Sequence, residues 1–100
     1  MQNLMKQAQK MQEQLQETEK LLEDWEIVGT SGGEAVVVYM NAKKKIDGIE
    51  LDPKVVDPED VEMLEDLIMA AINDGYKKAD EVYQEKMGPF GGMGGMGGLF

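Results

Sequence analysis

The chain contains no cysteine, no histidine and no arginine. Without cysteine there can be no disulfide, no thiolate metal ligand and no sulfur nucleophile. Without histidine there is no imidazole to serve as the base of a nucleophilic triad or to hold zinc. Without arginine the chain lacks the forked donor best matched to phosphate and to the guanine edge. No apolar run reaches the roughly 18 residues of a membrane-spanning helix. The opening residues, MQNLMKQAQK, have no signal-peptide apolar stretch. These absences lead to the expectation of a cytoplasmic protein with no membrane contact, no metal, no cofactor and no small-molecule substrate.

What is present is acid. Ten lysines face twenty aspartates and glutamates over 100 residues, for a formal net charge of -10. A chain of this size makes one domain with a modest core, which leaves room for help from a partner subunit. On its face, the balance favours solubility and opposes nucleic acid. The charge is unevenly placed, however. Residues 1–24 carry three lysines against five acids, residues 25–56 four against five, and residues 57–88 three against ten. Six of those last acids fall within 57–66. Basic spots remain at Lys6 and Lys10, at Lys43 to Lys45, and at Lys77 with Lys78.

Three regions and a tail separate by pattern. From Asn3 to about Trp25, apolar or small residues recur at Leu4, Ala8, Met11, Leu15, Thr18, Leu22 and Trp25. Alternating spacings of three and four make a heptad seam. No Gly or Pro interrupts it, so the pattern predicts a helix of about 22 residues and roughly 33 Å. That is too long for the rest of the chain to cover, and the seam is expected to meet another helix, such as that of a second copy.

Between Trp25 and Pro53 the pattern turns to strand. Ile27-Val28 is a short β-prone run ending at Gly29, and Ser31-Gly32-Gly33 is a turn signal. Ala35 to Met40 is strongly β-prone, and its near-continuous apolar character predicts cover on both faces, by helices or by a partner. Asn41-Ala42-Lys43 reads as a turn, and Lys45 to Leu51 alternates before stopping at Asp52-Pro53. Short strands with short connections predict an antiparallel meander. A second helix follows, with Asp57 as expected N-cap and Pro58 in the first turn. Its acids sit where the helix dipole favours them, which accounts for the 57–66 cluster without a bound cation. Gly75 inside this helix reads as a site of close packing in preference to a hinge. Residues 89–100, rich in Gly and Met, are expected to form a disordered tail.

No catalytic constellation emerges. The carboxylates have no supporting His or Cys, and SGGE at 31–34 lacks the lysine and spacing of a phosphate-binding loop. The chain is not expected to be an enzyme. The lysine pairs remain, and from the residues alone they read either as phosphate-contacting spots or as ordinary solvated faces.

Several ordered segments carry a resemblance. NLMKQAQKMQEQLQ at 3–16, SGGEAVVVYMNA at 31–42, GIELDP at 48–53 and MLEDLIMAAINDGYKKADE at 63–81 together resemble the YbaB/EbfC family of bacterial nucleoid-associated proteins. The resemblance implies an α+β protomer over 1–88. A long N-terminal helix, a three-stranded antiparallel sheet and a long C-terminal helix would pair into a tweezer-like homodimer with protruding helical prongs. It implies weakly sequence-specific binding of double-stranded DNA in the nucleoid, with a role in nucleoid organisation and gene regulation. Carried over by position, it assigns DNA contact to Lys6, Gln9 and Lys10 on the first helix and to Lys77 and Lys78 on the second, with Lys43 to Lys45 as weaker candidates. The alternative from the acidic balance is a protein-interaction module, docking another protein through the heptad helix.

Overall fold

In the computed structural model the backbone is described over residues 2–98 and side chains over residues 3–88. The gapless run of helix formers at the start makes α1, Gln2–Asp24. Three strands follow: β1, Glu26–Ser31, β2, Val36–Asn41, and β3, Ile46–Leu51. They form one antiparallel sheet in the order β1-β2-β3, as the meander pattern predicts. A 3-10 turn, Pro53–Val55, leads to α2, Val61–Gly98.

The first hairpin turns through Gly32 and Gly33, both with positive φ (59° and 66°), where a side chain would be strained. The second turn places Lys44 at φ 70°. Asn41 holds it: its side-chain Oδ1 accepts the backbone N–H groups of Lys43 at 2.9 Å and Lys45 at 3.0 Å. β1 runs two residues beyond Gly29, which lies inside the strand and does not end it.

α2 begins later than the sequence suggests. Asp57 does not cap it. Its carboxylate accepts the N–H of Glu59 at 2.9 Å and its carbonyl accepts that of Asp60 at 3.0 Å, closing a turn through Pro58. Asp60 is the cap, accepting the N–H of Met63 at 3.2 Å. Two aspartates in DPED compete for one role, and proline at the second position of a turn favours the later one. At the other end the helical backbone continues to Gly98, past the boundary expected at residue 88. The side chains of the expected tail, 89–100, lie outside the described residues.

The core lies between the sheet and α2. Val36, Val38 and Met40 point inward from β2 with Ile27 from β1, against Ala71 and Ala79 of α2, while Leu22 closes the end of α1. α2 packs chiefly on β1, then on β2. The inward residues of β3, Ile49 and Leu51, pair with Val38 and Val36 but remain exposed. On the outward face of β2, Val37 and Tyr39 are half-buried within the single chain, with the Glu50 carboxylate beside the tyrosine.

The tightest approach is glycine on glycine. A Cβ on Gly29 would strike the carbonyl oxygen of Ala71 and come within 2.5 Å of the Gly75 nitrogen and 2.8 Å of its Cα. A Cβ on Gly75 would strike the methyl end of Met40. The packing reading of Gly75 therefore holds. The two positions differ in consequence, because backbone cannot yield and a methionine tip can. Gly29→Ala is expected to cost at least about 1–3 kcal/mol of stability. Gly75→Ala should cost less, since it regains about 1 kcal/mol of helix propensity. Denaturant titration of both variants tests this, and an equal or reversed order would contradict the crossing.

Candidate nucleic-acid interface

The site is assembled from lysines, and the fold sorts them by what they touch. On α1, Lys6, Gln9 and Lys10 are all exposed and line a shallow open surface with Asn3, Gln7 and Glu13. At roughly 100° per residue, this row lies on the opposite side of the helix from Leu4, Ala8, Met11 and Leu15. The seam itself loses cover toward the N-terminus. Leu22 is fully buried and Leu15 half-buried, but Met11 is 38% and Leu4 70% exposed. The basic row can therefore meet one partner while the apolar seam meets another. Among the described residues, Lys6 and Lys10 form no ion pair.

On α2 the two adjacent lysines are not equivalent. Lys77 is exposed and has no ion-pair partner among the described residues. Lys78 reaches back to β1. Its Nζ lies 3.0 Å from Asp74 Oδ2 and donates to the Val28 carbonyl at 3.0 Å. Asp74 Oδ2 also accepts the backbone N–H of Thr30 at 3.0 Å. That amide, followed by Lys78, holds the Asp74 carboxyl below its ordinary value of 3.8. The structure thus brings Lys6, Gln9 and Lys10 together on one face and sets Lys77 on the other helix. It gives Lys78 an internal role that the sequence assignment to DNA does not include.

Two of the weaker candidates are also engaged. Lys43 pairs with Glu23 at 3.3 Å, and Lys44 pairs with Asp80 at 2.7 Å while standing over the Tyr76 ring. These contacts tie the β2–β3 turn to α1 and α2. Lys45 forms no ion pair among the described residues. The sequence held one readable sign of the Lys78 pairing, since Asp74 and Lys78 are four residues apart on a helix. The contacts to Thr30 and Val28, some fifty residues away, left no local trace.

Asp74 makes stability depend on pH in a definite sense. A carboxyl with a lowered folded pKa adds stability above its unfolded value, and loses it as pH falls through the folded value. Wild type should melt higher than Asp74→Asn at neutral pH, with the gap closing as pH drops below about 4. A gap unchanged from pH 7 to pH 2.5 would show that the ionised carboxylate contributes nothing.

Comparison with known proteins bears on this arrangement. The family model described as the YbaB/EbfC DNA-binding family matches residues 1–96. A nucleoid-associated protein of Alkaliphilus metalliredigens (strain QYMF) is 47% identical over 100 residues, covering 100% of this chain and 88% of that protein. One of Clostridium novyi (strain NT) is 51% identical over 98 residues, covering 98% and 86%. The crystal structure of an uncharacterized protein of Helicobacter pylori, HP0035, superposes with a TM-score of 0.73 at 27% identity, covering 82% of this chain and 86% of that one. With the helix–meander–helix order in place and a model match over nearly the whole length, the chain belongs to the YbaB/EbfC DNA-binding family.

Proposed function

We propose that two copies of this chain pair into a homodimer that binds duplex DNA with little sequence preference and serves in organising the nucleoid and regulating its genes. The observation that carries this reading is the two-sided first helix of a DNA-binding-family chain. It has an exposed row of Lys6, Gln9 and Lys10 on one side and an uncovered apolar seam on the other. Exposed Leu4 and Met11 on α1, with Ile49 and Leu51 on β3, supply apolar surface for a second copy. Burying such residues is worth about 25 cal/mol per Å². The paired helices would then project as the arms of a tweezer.

Lys6, Lys10 and Lys77 meet phosphates, and Gln9 adds a neutral donor beside them. Binding is driven by release of counterions from the DNA and guided by backbone shape. Lysine is a point charge without the arginine fork, which suits contact without base readout. The dimer carries a formal charge of about -20, so its total field opposes approach. Binding is therefore expected to be weak and favoured by high local concentration. Residues 1–88 form the functional unit in this reading, and 89–100 an appendage. Names of the relatives place those proteins in the nucleoid, which supports the same setting here. Among the described residues no helix is long and apolar enough to cross a membrane.

Three lysines from each of two protomers set a limiting slope of log K against log salt of about −5. Titration of labelled duplex at several salt concentrations measures it, with light scattering reporting the species. A salt-dependent dimer is the expected result. A slope near zero would overturn the phosphate mechanism, and a folded monomer near 11 kDa would overturn the dimer. Stoichiometric capture of a protein in place of DNA would favour the interaction-module reading.

A further inference from the structure

β1 is an edge strand, with β2 as its one neighbour in the sheet. In an antiparallel strand the N–H and C=O of a residue point to the same side, and alternate residues share that side. The open edge of β1 thus includes the N–H of Thr30 and the C=O of Val28. Unpaired edges of this kind invite another strand, and proteins cover or block them.

Here α2 blocks the edge with side chains. Asp74 takes the Thr30 N–H and Lys78 the Val28 C=O, each at 3.0 Å. The two side chains are joined to each other at 3.0 Å. Acceptor meets donor, donor meets acceptor, and the charges neutralise one another across one helical turn. A further link lies toward the start of the helix, where Ser31 Oγ donates to the Leu67 carbonyl at 2.6 Å. Gly29, between Val28 and Thr30, is where α2 comes closest to the strand. β1 is therefore held to α2 at consecutive residues from Val28 to Ser31.

We infer that Lys78, acting with Asp74, is a clasp that fixes α2 to the open edge of β1. It is a positioning residue and not a phosphate contact. Its ammonium already has a carboxylate and a carbonyl as partners, and leaving them for a phosphate would leave both without that donor. Lys77, one residue earlier and about 100° around the helix, has no such tie among the described residues. The clasp also closes β1 to the addition of a foreign strand. The division of labour between the two lysines rests on the DNA-binding reading above, whereas the clasp itself does not.

The test uses the full chain with Lys78→Met and Lys77→Met, and two readouts. One is hydrogen exchange of the Thr30 amide by NMR, and the other is the salt slope of duplex binding. Lys78→Met should speed Thr30 exchange several-fold and leave the slope unchanged. Lys77→Met should leave Thr30 exchange unchanged and reduce the slope by roughly 2 per dimer. The inference is overturned if Lys78→Met leaves Thr30 exchange unaltered, or lowers the slope as Lys77→Met does. Should Lys78→Met fail to fold, Asp74→Asn replaces it, since it keeps the lysine charge. Faster Thr30 exchange with the slope intact upholds the clasp, and unaltered exchange overturns it. If wild type shows no salt-dependent DNA binding, the functional reading fails, and Thr30 exchange alone decides the clasp.

Discussion

The close crossing of α2 over β1 at Gly29 and Gly75 is the constraint on which the rest of the molecule depends. The absence of a Cβ at Gly29 is what lets helix backbone approach strand backbone so nearly, and at Gly75 it makes room for the tip of Met40. The small residues Ala71 and Ala79, one turn to each side, extend that flush contact. Because the helix sits this low, short side chains can reach across. Ser31 meets a helix carbonyl, and Asp74 meets a strand amide. Larger residues at the crossing would lift α2 and break those links together. The same placement explains what stays open: a helix centred on β1 and β2 does not reach Ile49 and Leu51 on β3.

The charge distribution follows from the same layout. A formal charge of -10 would seem to rule out DNA if it acted as one number. Fields from exposed charges are screened over about 10 Å at 0.1 M salt, so local sign governs close contact. Most of the excess acid lies between Asp57 and Asp66, where turn closure and helix capping use part of it. Elsewhere acids are spent on lysines. Glu23, Asp80 and Asp74 engage Lys43, Lys44 and Lys78. Among the described residues, Lys6 and Lys10 on α1 and Lys77 on α2 are exposed lysines without an ion pair.

Much of this was legible in the residues. The heptad seam gave α1, the β-branched run gave β2, and short turns gave the meander, because each is a local pattern with its own period. The exposed position of Lys6 and Lys10 on α1 is legible for the same reason: a one-turn spacing opposite an apolar seam can be read without a structure. The start of α2 was misjudged because Asp57 and Asp60 are both competent caps, and only the turn through Pro58 decides between them. Lys78 reads as a DNA contact from its neighbour Lys77, whereas its bond to the Val28 carbonyl of β1 leaves no local sign in the sequence. An apolar run reports burial without saying what provides it: within one chain α2 covers the inner face of β2, and Val37 and Tyr39 on the outer face are half-buried.

The central claim is that an acidic chain binds DNA through a small set of unpaired lysines on two helices. Amide chemical-shift mapping during titration with duplex DNA at low salt tests it most directly. The account predicts changes clustered around Lys6, Gln9, Lys10 and Lys77, with the acidic segment 57–66 silent. Changes confined to 57–66, or none at all, would contradict it.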